Sequence, residues 1–234
     1  MPRLPRSTLI PGCPVHVLQR GHNKAPCFKS EADHVLYLGL LEQYSKRHAC
    51  AVHAYVLMTN HVHLLISPPD VPSLSNMMRG LNQIFAQYVN RHQGRCGSAW
   101  QSRFKSFPVQ SGDYFLTCQG YIELNPVRAR LVDAPSQYPW SSYLINAAGH
   151  PSGLITPHRL YLGLAPTPAT RLAAYRKLLN QPVSPEVLAK IRLSLATGVP
   201  LGDDAFVRGI NQRIGTDRGQ SRDRPGTGPG LAPV

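Results

Sequence analysis

The chain has 234 residues and carries 25 lysines and arginines against 12 aspartates and glutamates, for a formal net charge of +13. This excess favours binding to a polyanion, and nucleic acid is a better candidate than an acidic membrane surface; the alternative is a basic protein without such a partner. No apolar run is long enough to span a membrane. Five scattered cysteines without a Cys-x-x-Cys pair, and the lack of a hydrophobic leader, predict a reduced, cytoplasmic protein that is not exported.

The first predicted elements are a strand, a helix and a hairpin. Alternation predicts a short strand over Val15–Arg20, and apolar residues at helical spacing predict an amphipathic helix from Ser30 to about His48. Two apolar runs, Cys50–Met58 and His61–Ser67, are separated by only two residues, Thr59-Asn60. So tight a link predicts two antiparallel strands joined as a hairpin.

A second helix and a fourth strand complete the predicted sheet. A stripe of methionine and aromatic residues marks the helix from Leu74 to about Arg91, and alternation over Ala99–Pro108 predicts the strand. A third helix is predicted over Asp113–Asn125. The order strand, helix, strand, strand, helix, strand is that of the ferredoxin-like α+β fold, a four-stranded antiparallel sheet with helices packed on one face. We expect a site on the open face of the sheet or in the cleft between sheet and helix.

Composition divides the chain into three parts. Residues 1–148 form the predicted α+β domain, residues 149–214 a helical C-terminal appendage, and residues 215–234, rich in glycine, proline and arginine, a disordered tail. The helices predicted in the appendage are Ala169–Leu179, Ser184–Ala196 and Asp203–Ile214. The last two are compatible with a DNA-binding helix-turn-helix and with a simple packed pair.

His61 and His63 are the strongest chemical signal in the chain. Because successive side chains of a strand point to opposite faces, the two imidazoles share one face and can hold a metal ion. The alternative is that they are hydrogen-bonded histidines of the core. Tyr121 and Asn125, spaced i and i+4 on the third helix, offer a phenol and an amide oxygen to the same site.

A divalent ion beside a phenol favours phosphoryl transfer, because the ion polarises a phosphate oxygen while the phenol attacks phosphorus. Imidazoles favour zinc, whereas an amide oxygen and a phosphate substrate favour magnesium or manganese. Each assignment has an alternative: Tyr121 can be a half-buried core tyrosine, and Asn125 before Pro126 can cap a helix N-terminus. Glu123 points off this face, and we expect it to face solvent.

Four segments of the first 143 residues occur together in one order. They are Tyr55–Leu65, Trp100–Ser106, Tyr121–Ala129 and Tyr138–Ser142. Together they resemble the REP-associated tyrosine transposases, single-tyrosine members of the HUH endonuclease superfamily. The resemblance implies a metal-dependent single-stranded DNA endonuclease and strand transferase that acts at hairpin-forming repeats through a 5'-phosphotyrosine intermediate, on a ferredoxin-like domain.

The resemblance also implies a role for each site residue. His61 and His63 match the metal-binding HUH pair, Tyr121 the nucleophile and Asn125 a polar third ligand, with Mg²⁺ or Mn²⁺ as the cofactor. Gly21–Phe28 and Gly97–Gln101 depart from the family pattern. These departures leave the metal site intact and the DNA sequence preference open.

Basic and aromatic side chains near these segments are the predicted DNA contacts. Phosphate contacts are expected from Arg20, Arg103, Lys105, Arg128 and Arg130. Trp100 or Phe107 is expected to stack on bases. The rival functions are a non-catalytic DNA-binding regulator of repeats and a zinc-dependent hydrolase that uses a metal-bound water. We expect a monomer or a homodimer, in which Tyr121 serves its own metal or that of the second copy.

Overall fold

A four-stranded antiparallel sheet organises the fold, and the computed structural model describes residues 10–94 and 96–222. The strands are β1 (Val15–Arg20), β2 (Ala51–Met58), β3 (His61–Ser67) and β4 (Lys105–Pro108), in the spatial order β2-β3-β1-β4. Strand β1 pairs antiparallel with both β3 and β4, and β2 pairs antiparallel with β3. The predicted ferredoxin-like α+β fold is confirmed.

Two long helices cover one face of the sheet. Helix α1 (Glu31–Arg47) begins at Ser30, whose side chain forms a capping box with Asp33, and helix α2 (Val71–Gln93) begins at Asp70, whose carboxylate accepts a hydrogen bond from the Ser73 N–H. The main core lies between this face and the two helices. Both helices end within two residues of the positions that the sequence predicts.

The opposite face of the sheet is also covered, where we predicted helices on one face only. Helix α3 (Asp113–Glu123) packs there, with Phe115, Cys118 and Ile122 against the apolar side chains of β2 and β3. The reason lies in the β2 sequence, because Ala54–Met58 is apolar without interruption and therefore has an apolar side chain on each face to bury.

Strand β4 is shorter than the predicted span Ala99–Pro108. The residues before Lys105 are not part of the regular strand, although the Gln101 N–H still donates to the Arg20 carbonyl at 2.9 Å. The Gln19 side-chain amide donates to the Ser102 carbonyl at 2.8 Å. Trp100 keeps an isolated bridge to Gly21. Regular alternation in the sequence therefore extends beyond the part that pairs as a strand.

The free edge of β2 is covered by the segment Tyr138–Ser142. The Leu57 N–H donates to the Trp140 carbonyl at 2.9 Å, the Ser142 N–H donates to the Tyr55 carbonyl at 3.0 Å, and the Tyr138 hydroxyl donates to the Leu57 carbonyl at 2.6 Å. Covering an edge in this way satisfies backbone groups that otherwise remain open to another strand.

The remaining elements are short helices and the helices of the C-terminal part. They are α4 (Asn125–Arg128), α5 (Tyr143–Asn146), α6 (Arg159–Leu162), α7 (Pro168–Leu179), α8 (Pro185–Thr197) and α9 (Asp204–Arg222), with 3-10 turns at His22–Lys24 and Pro135–Gln137. Helix α9 continues past Ile214, so residues 215–222 are helical where we predicted disorder. The first proline after Ile214 is Pro225, so no proline interrupts the helix over these residues. The rest of the predicted tail, residues 223–234, lies outside the described residues.

The C-terminal helices pack on the α3 face of the sheet. Ile191 of α8 and Leu201 belong to the same buried cluster as α3, and the Leu201 N–H donates to the Pro108 carbonyl at 2.8 Å. The boundary between residues 148 and 149 stays a prediction. Within residues 10–94 and 96–222, no helix is long and apolar enough to cross a membrane.

Glu123 is fully buried, so the expectation that it faces solvent is wrong. Its carboxylate accepts hydrogen bonds from the Ser142 hydroxyl at 2.6 Å, the Asn146 amide at 2.7 Å and the Tyr175 hydroxyl at 2.8 Å. Burial raises the pKa of Glu123 to about 7, and the three hydrogen bonds oppose that rise. This carboxylate links α3 to α7 and to the segment that covers β2.

His53 is a second buried polar group that joins the C-terminal part to the sheet. Its Nδ1–H donates to the Thr156 carbonyl at 2.7 Å, and its Nε2 accepts from the Ser67 hydroxyl at 2.9 Å. Burial lowers the pKa of this imidazole from 6.5 to about 4.

We expect His53 to make the fold sensitive to acid. Below pH 6.5 the unfolded chain binds a proton that the folded chain does not bind until about pH 4, so stability falls with the pH. Between pH 7.5 and pH 4.5 this costs about 2.5 kcal/mol. Urea denaturation of wild type and His53→Gln at both pH values measures it, and the drop should be smaller in the variant. An equal drop in both proteins would contradict the assignment.

Candidate functional site

The two histidines of β3 lie on the sheet face that α3 covers. His61 is paired with Arg20 of β1 and His63 with Leu18, and the two imidazole centroids are 5.0 Å apart with their planes at 82°. His63 is only 4% exposed, whereas His61 is partly exposed at the start of the strand. The shared face that the alternation predicts is present.

Hydrogen bonds fix the protonation of His61. The Asn60 Nδ2 group donates to the Lys24 carbonyl at 3.0 Å, so Asn60 Oδ1 is the atom that lies 2.7 Å from His61 Nδ1. An amide oxygen only accepts hydrogen bonds, and His61 Nδ1 must therefore carry the proton. Burial, helped by the charge of Arg20, lowers the pKa of His61 to about 4, so the ring is neutral and Nε2 has a free lone pair.

His63 has another histidine as its partner. Its Nδ1 lies 2.8 Å from Nε2 of His16, a residue of β1 that is 2% exposed. Burial lowers the pKa of His16 to about 3 and holds that of His63 well below 6.5. All three imidazoles are neutral at physiological pH, which metal binding through nitrogen requires. Our sequence interpretation treated His16 only as part of a strand, although alternation from Arg20 places it on the same face.

Tyr121 of α3 lies against these histidines. The centroid of its ring is 6.4 Å from that of His63 and 6.3 Å from that of His16, and the side chain is partly exposed. The packing of α3 on β2 and β3 determines this placement, through Cys118, three residues before Tyr121, and Ile122, the residue after it. The structure thus brings the predicted tyrosine and the predicted histidine pair together.

Arg128 of α4 covers the ring of Tyr121. Its Cζ atom is 3.9 Å from the ring centroid, and its Nη2 group donates to the Tyr121 carbonyl. Such a cation over an aromatic ring is attracted by the negative face of the π system. Desolvation lowers the pKa of Arg128, and the nearby phenol partly offsets this. Arg128 therefore contacts the tyrosine directly, where we had predicted only a phosphate contact.

Asn125 begins α4, one helical turn after Tyr121. The N-cap residue of α4 is Leu124, so Asn125 does not occupy the capping position of the alternative interpretation, and its Nδ2 atom is buried without a hydrogen-bond partner among the described residues. An unpaired buried amide is costly unless it has a ligand, and an amide turned by 180° places its oxygen at that position. No group of three His, Cys, Asp or Glu residues that could hold a metal occurs within the described ranges.

The predicted DNA contacts fall into two groups. Arg20 lies directly across the ladder from His61, and Arg103, Lys105 and Arg130 are exposed. Trp100 does not have the predicted surface position: it is 6% exposed in the main core, and its indole N–H donates to the Asn82 carbonyl at 3.3 Å. Phe107 is also buried, at 3% exposure. Neither aromatic ring is available to stack on a base in this conformation.

Two comparisons with known proteins find a similarity. The family model described as IS200-like transposase matches residues 10–125. A solved structure of a REP-associated tyrosine transposase bound to a REP hairpin is similar, with a TM-score of 0.51, 18% sequence identity, and coverage of 64% of this chain and 91% of that one. At that identity the similarity shows the fold alone. No curated protein sequence gives a significant match.

Proposed function

The chain belongs to the IS200-like transposases through residues 10–125, and we propose that it is a metal-dependent single-stranded DNA endonuclease and strand transferase. The observation that carries this proposal is the placement of Tyr121 beside His63, with ring centroids 6.4 Å apart, on the face that also holds His61. A phenol next to two neutral imidazoles has the parts that tyrosine-based phosphoryl transfer needs.

Tyr121 is the proposed nucleophile. Its phenol oxygen forms a bond to the phosphorus of a DNA phosphodiester while the bond from phosphorus to the 3' oxygen breaks. The products are a 5'-phosphotyrosine and a free 3'-hydroxyl, which takes the proton. Because the phosphotyrosine keeps the energy of the phosphodiester, a 3'-hydroxyl of another strand can attack it and release Tyr121. The guanidinium of Arg128, 3.9 Å above the ring, lies where it can balance negative charge on the phenol.

His61, His63 and Asn125 are the proposed metal ligands. Among the described residues, Nε2 of His61 has no hydrogen-bond partner, and neither does the buried Nδ2 atom of Asn125. When bound, a divalent ion polarises a phosphate oxygen of the scissile bond. The amide oxygen and the phosphate substrate favour Mg²⁺ or Mn²⁺ as that ion. Arg20, across from His61, would hold an adjacent phosphate.

The proposed substrate is single-stranded DNA next to a hairpin. The net charge of +13 supports a polyanionic partner, and the structurally similar transposase is bound to a REP hairpin. We further propose that the protein acts in the cytoplasm, as a monomer or a homodimer.

One experiment tests the proposed function. The protein is incubated with Mn²⁺ and a single-stranded hairpin oligonucleotide labelled at its 3' end, and the products are separated on a denaturing gel. A 5'-phosphotyrosine keeps the labelled fragment on the protein, so we expect a slow band that EDTA abolishes. Cleavage without this band would favour hydrolysis by an activated water. Binding without cleavage would favour a DNA-binding regulator, and either result would overturn the proposal.

A further inference from the structure

The His16–His63 contact raises the question of which ring nitrogen carries the shared proton. A neutral imidazole has one N–H donor and one acceptor nitrogen, so the 2.8 Å contact between His16 Nε2 and His63 Nδ1 permits two arrangements. If His16 is the donor, the proton of His63 lies on its Nε2, and neither nitrogen of His63 has a free lone pair. If His63 is the donor, its Nε2 is free.

We propose that His16 is a positioning residue for metal binding, which accepts the hydrogen bond from His63 Nδ1–H and thereby keeps the lone pair of His63 on Nε2. This inference rests on the proposed function, because it takes His61 and His63 as metal ligands. His16 does not bind the ion itself, since its Nε2 is occupied by the His63 proton.

The neighbouring ligand shows the same arrangement independently. His61 donates its Nδ1–H to Asn60 Oδ1 at 2.7 Å, and the bond from Asn60 Nδ2 to the Lys24 carbonyl fixes that orientation. Both histidines of the pair therefore have a side-chain partner at Nδ1 and, within residues 10–94 and 96–222, no hydrogen-bond partner at Nε2. A partner at the second ring nitrogen fixes the tautomer and the orientation of a metal-binding histidine.

The surroundings of His16 leave it few alternatives. It is 2% exposed, and its ring packs against those of His63, Phe107 and Tyr121, with centroid distances of 4.9, 6.3 and 6.3 Å. His16 differs from Asn60 in one respect, because an imidazole nitrogen can donate or accept whereas an amide oxygen only accepts. Metal binding at His63 therefore selects the tautomer of His16 whose Nε2 accepts. His16 therefore couples β1 to the metal-binding strand through a single proton.

Two substitutions separate a hydrogen-bonding role from simple core packing. His16→Gln keeps an acceptor oxygen near the position of Nε2, whereas His16→Leu keeps a similar volume without an acceptor. Isothermal titration with Mn²⁺ should give an affinity about 10–100-fold weaker for the leucine variant. The glutamine variant should lie close to wild type. His53→Leu removes another buried imidazole of the sheet, away from the site, and should leave the Mn²⁺ affinity unchanged.

A second measurement does not depend on how well the variants fold. Long-range ¹H–¹⁵N NMR of the wild-type protein with Zn²⁺, a diamagnetic probe, identifies the protonated nitrogen of each ring. We expect protons on Nδ1 of His63 and none on Nε2 of His16. A proton on His16 Nε2, or Mn²⁺ affinity of a folded His16→Leu equal to wild type, overturns the role of His16 alone. The metal site itself would be overturned if the wild-type protein did not bind Mn²⁺, or if its Mn²⁺ binding were unaffected by His61→Ala.

Discussion

Replacing Tyr121 with phenylalanine should abolish the covalent protein–DNA band and lower strand cleavage by at least about 10³-fold, because the nucleophilic oxygen is lost. The substitution keeps the aromatic ring that Arg128 covers and that packs against His16 and His63. We therefore expect affinity for the hairpin oligonucleotide, measured by fluorescence anisotropy, to stay within about twofold of wild type, since the phosphate contacts are unchanged.

A matched control for this substitution lies on the same helix. Tyr114 of α3 also has a cationic partner, since Lys190 Nζ donates to its hydroxyl oxygen at 3.0 Å, yet it lies two helical turns from Tyr121. Tyr114→Phe should cleave at nearly the wild-type rate. A covalent band that survives in Tyr121→Phe would identify another nucleophile. Cleavage that survives without the band would instead support a water-dependent hydrolase.

Glu123→Ala should lower the free energy of unfolding by about 4 kcal/mol or more, because it leaves three buried donors without an acceptor and creates a cavity. Those donors are the hydroxyls of Ser142 and Tyr175 and the amide of Asn146. Urea denaturation at neutral pH measures the change. Since Glu123 lies between Tyr121 and Asn125 in sequence, we expect cleavage activity to decline together with stability.

The conservative change Glu123→Gln provides the control. Its carbonyl oxygen can still accept from Ser142 and Asn146, and the Tyr175 hydroxyl can accept from the new amide group, so the loss should be below about 1.5 kcal/mol. Glu42→Ala removes a carboxylate from an exposed ion pair with Lys46 and should cost no more than about 0.5 kcal/mol. Equal losses for Glu123→Ala and Glu42→Ala would contradict a structural role for the buried carboxylate.

The sequence predicts the sheet well because its strands and helices have clear periods. The hairpin of β2 and β3 follows from two apolar runs joined by two residues, and the paired histidines on one face follow from alternation. The shortening of β4 does not, because contacts such as the hydrogen bond from the Gln19 side-chain amide to the Ser102 carbonyl follow no alternating pattern. Periodicity describes which face a side chain lies on, and says nothing about where pairing stops.

Two polar residues show why the candidate site was only partly predictable. Glu123 is a charged residue near the end of a helix, and the distant donors Ser142, Asn146 and Tyr175 make its burial tolerable. His16 is separated from His63 by 47 positions, and its role depends on the register of β1 against β3. Contacts of this kind are set by the tertiary fold. Trp100 is the opposite case: it lies in a basic segment, where we predicted a contact with a base, but its side chain belongs to the main core.

The segment over β2 also limits how two copies of this chain can associate. The backbone groups of Tyr55 and Leu57, on the outer edge of β2, are already hydrogen-bonded to that segment. At the other edge of the sheet, the Leu201 backbone is hydrogen-bonded to the end of the four-residue β4. A continuous eight-stranded sheet formed by two molecules would have to displace one of these segments. Any dimer is therefore expected to form through side chains, with each sheet remaining a closed unit of four strands.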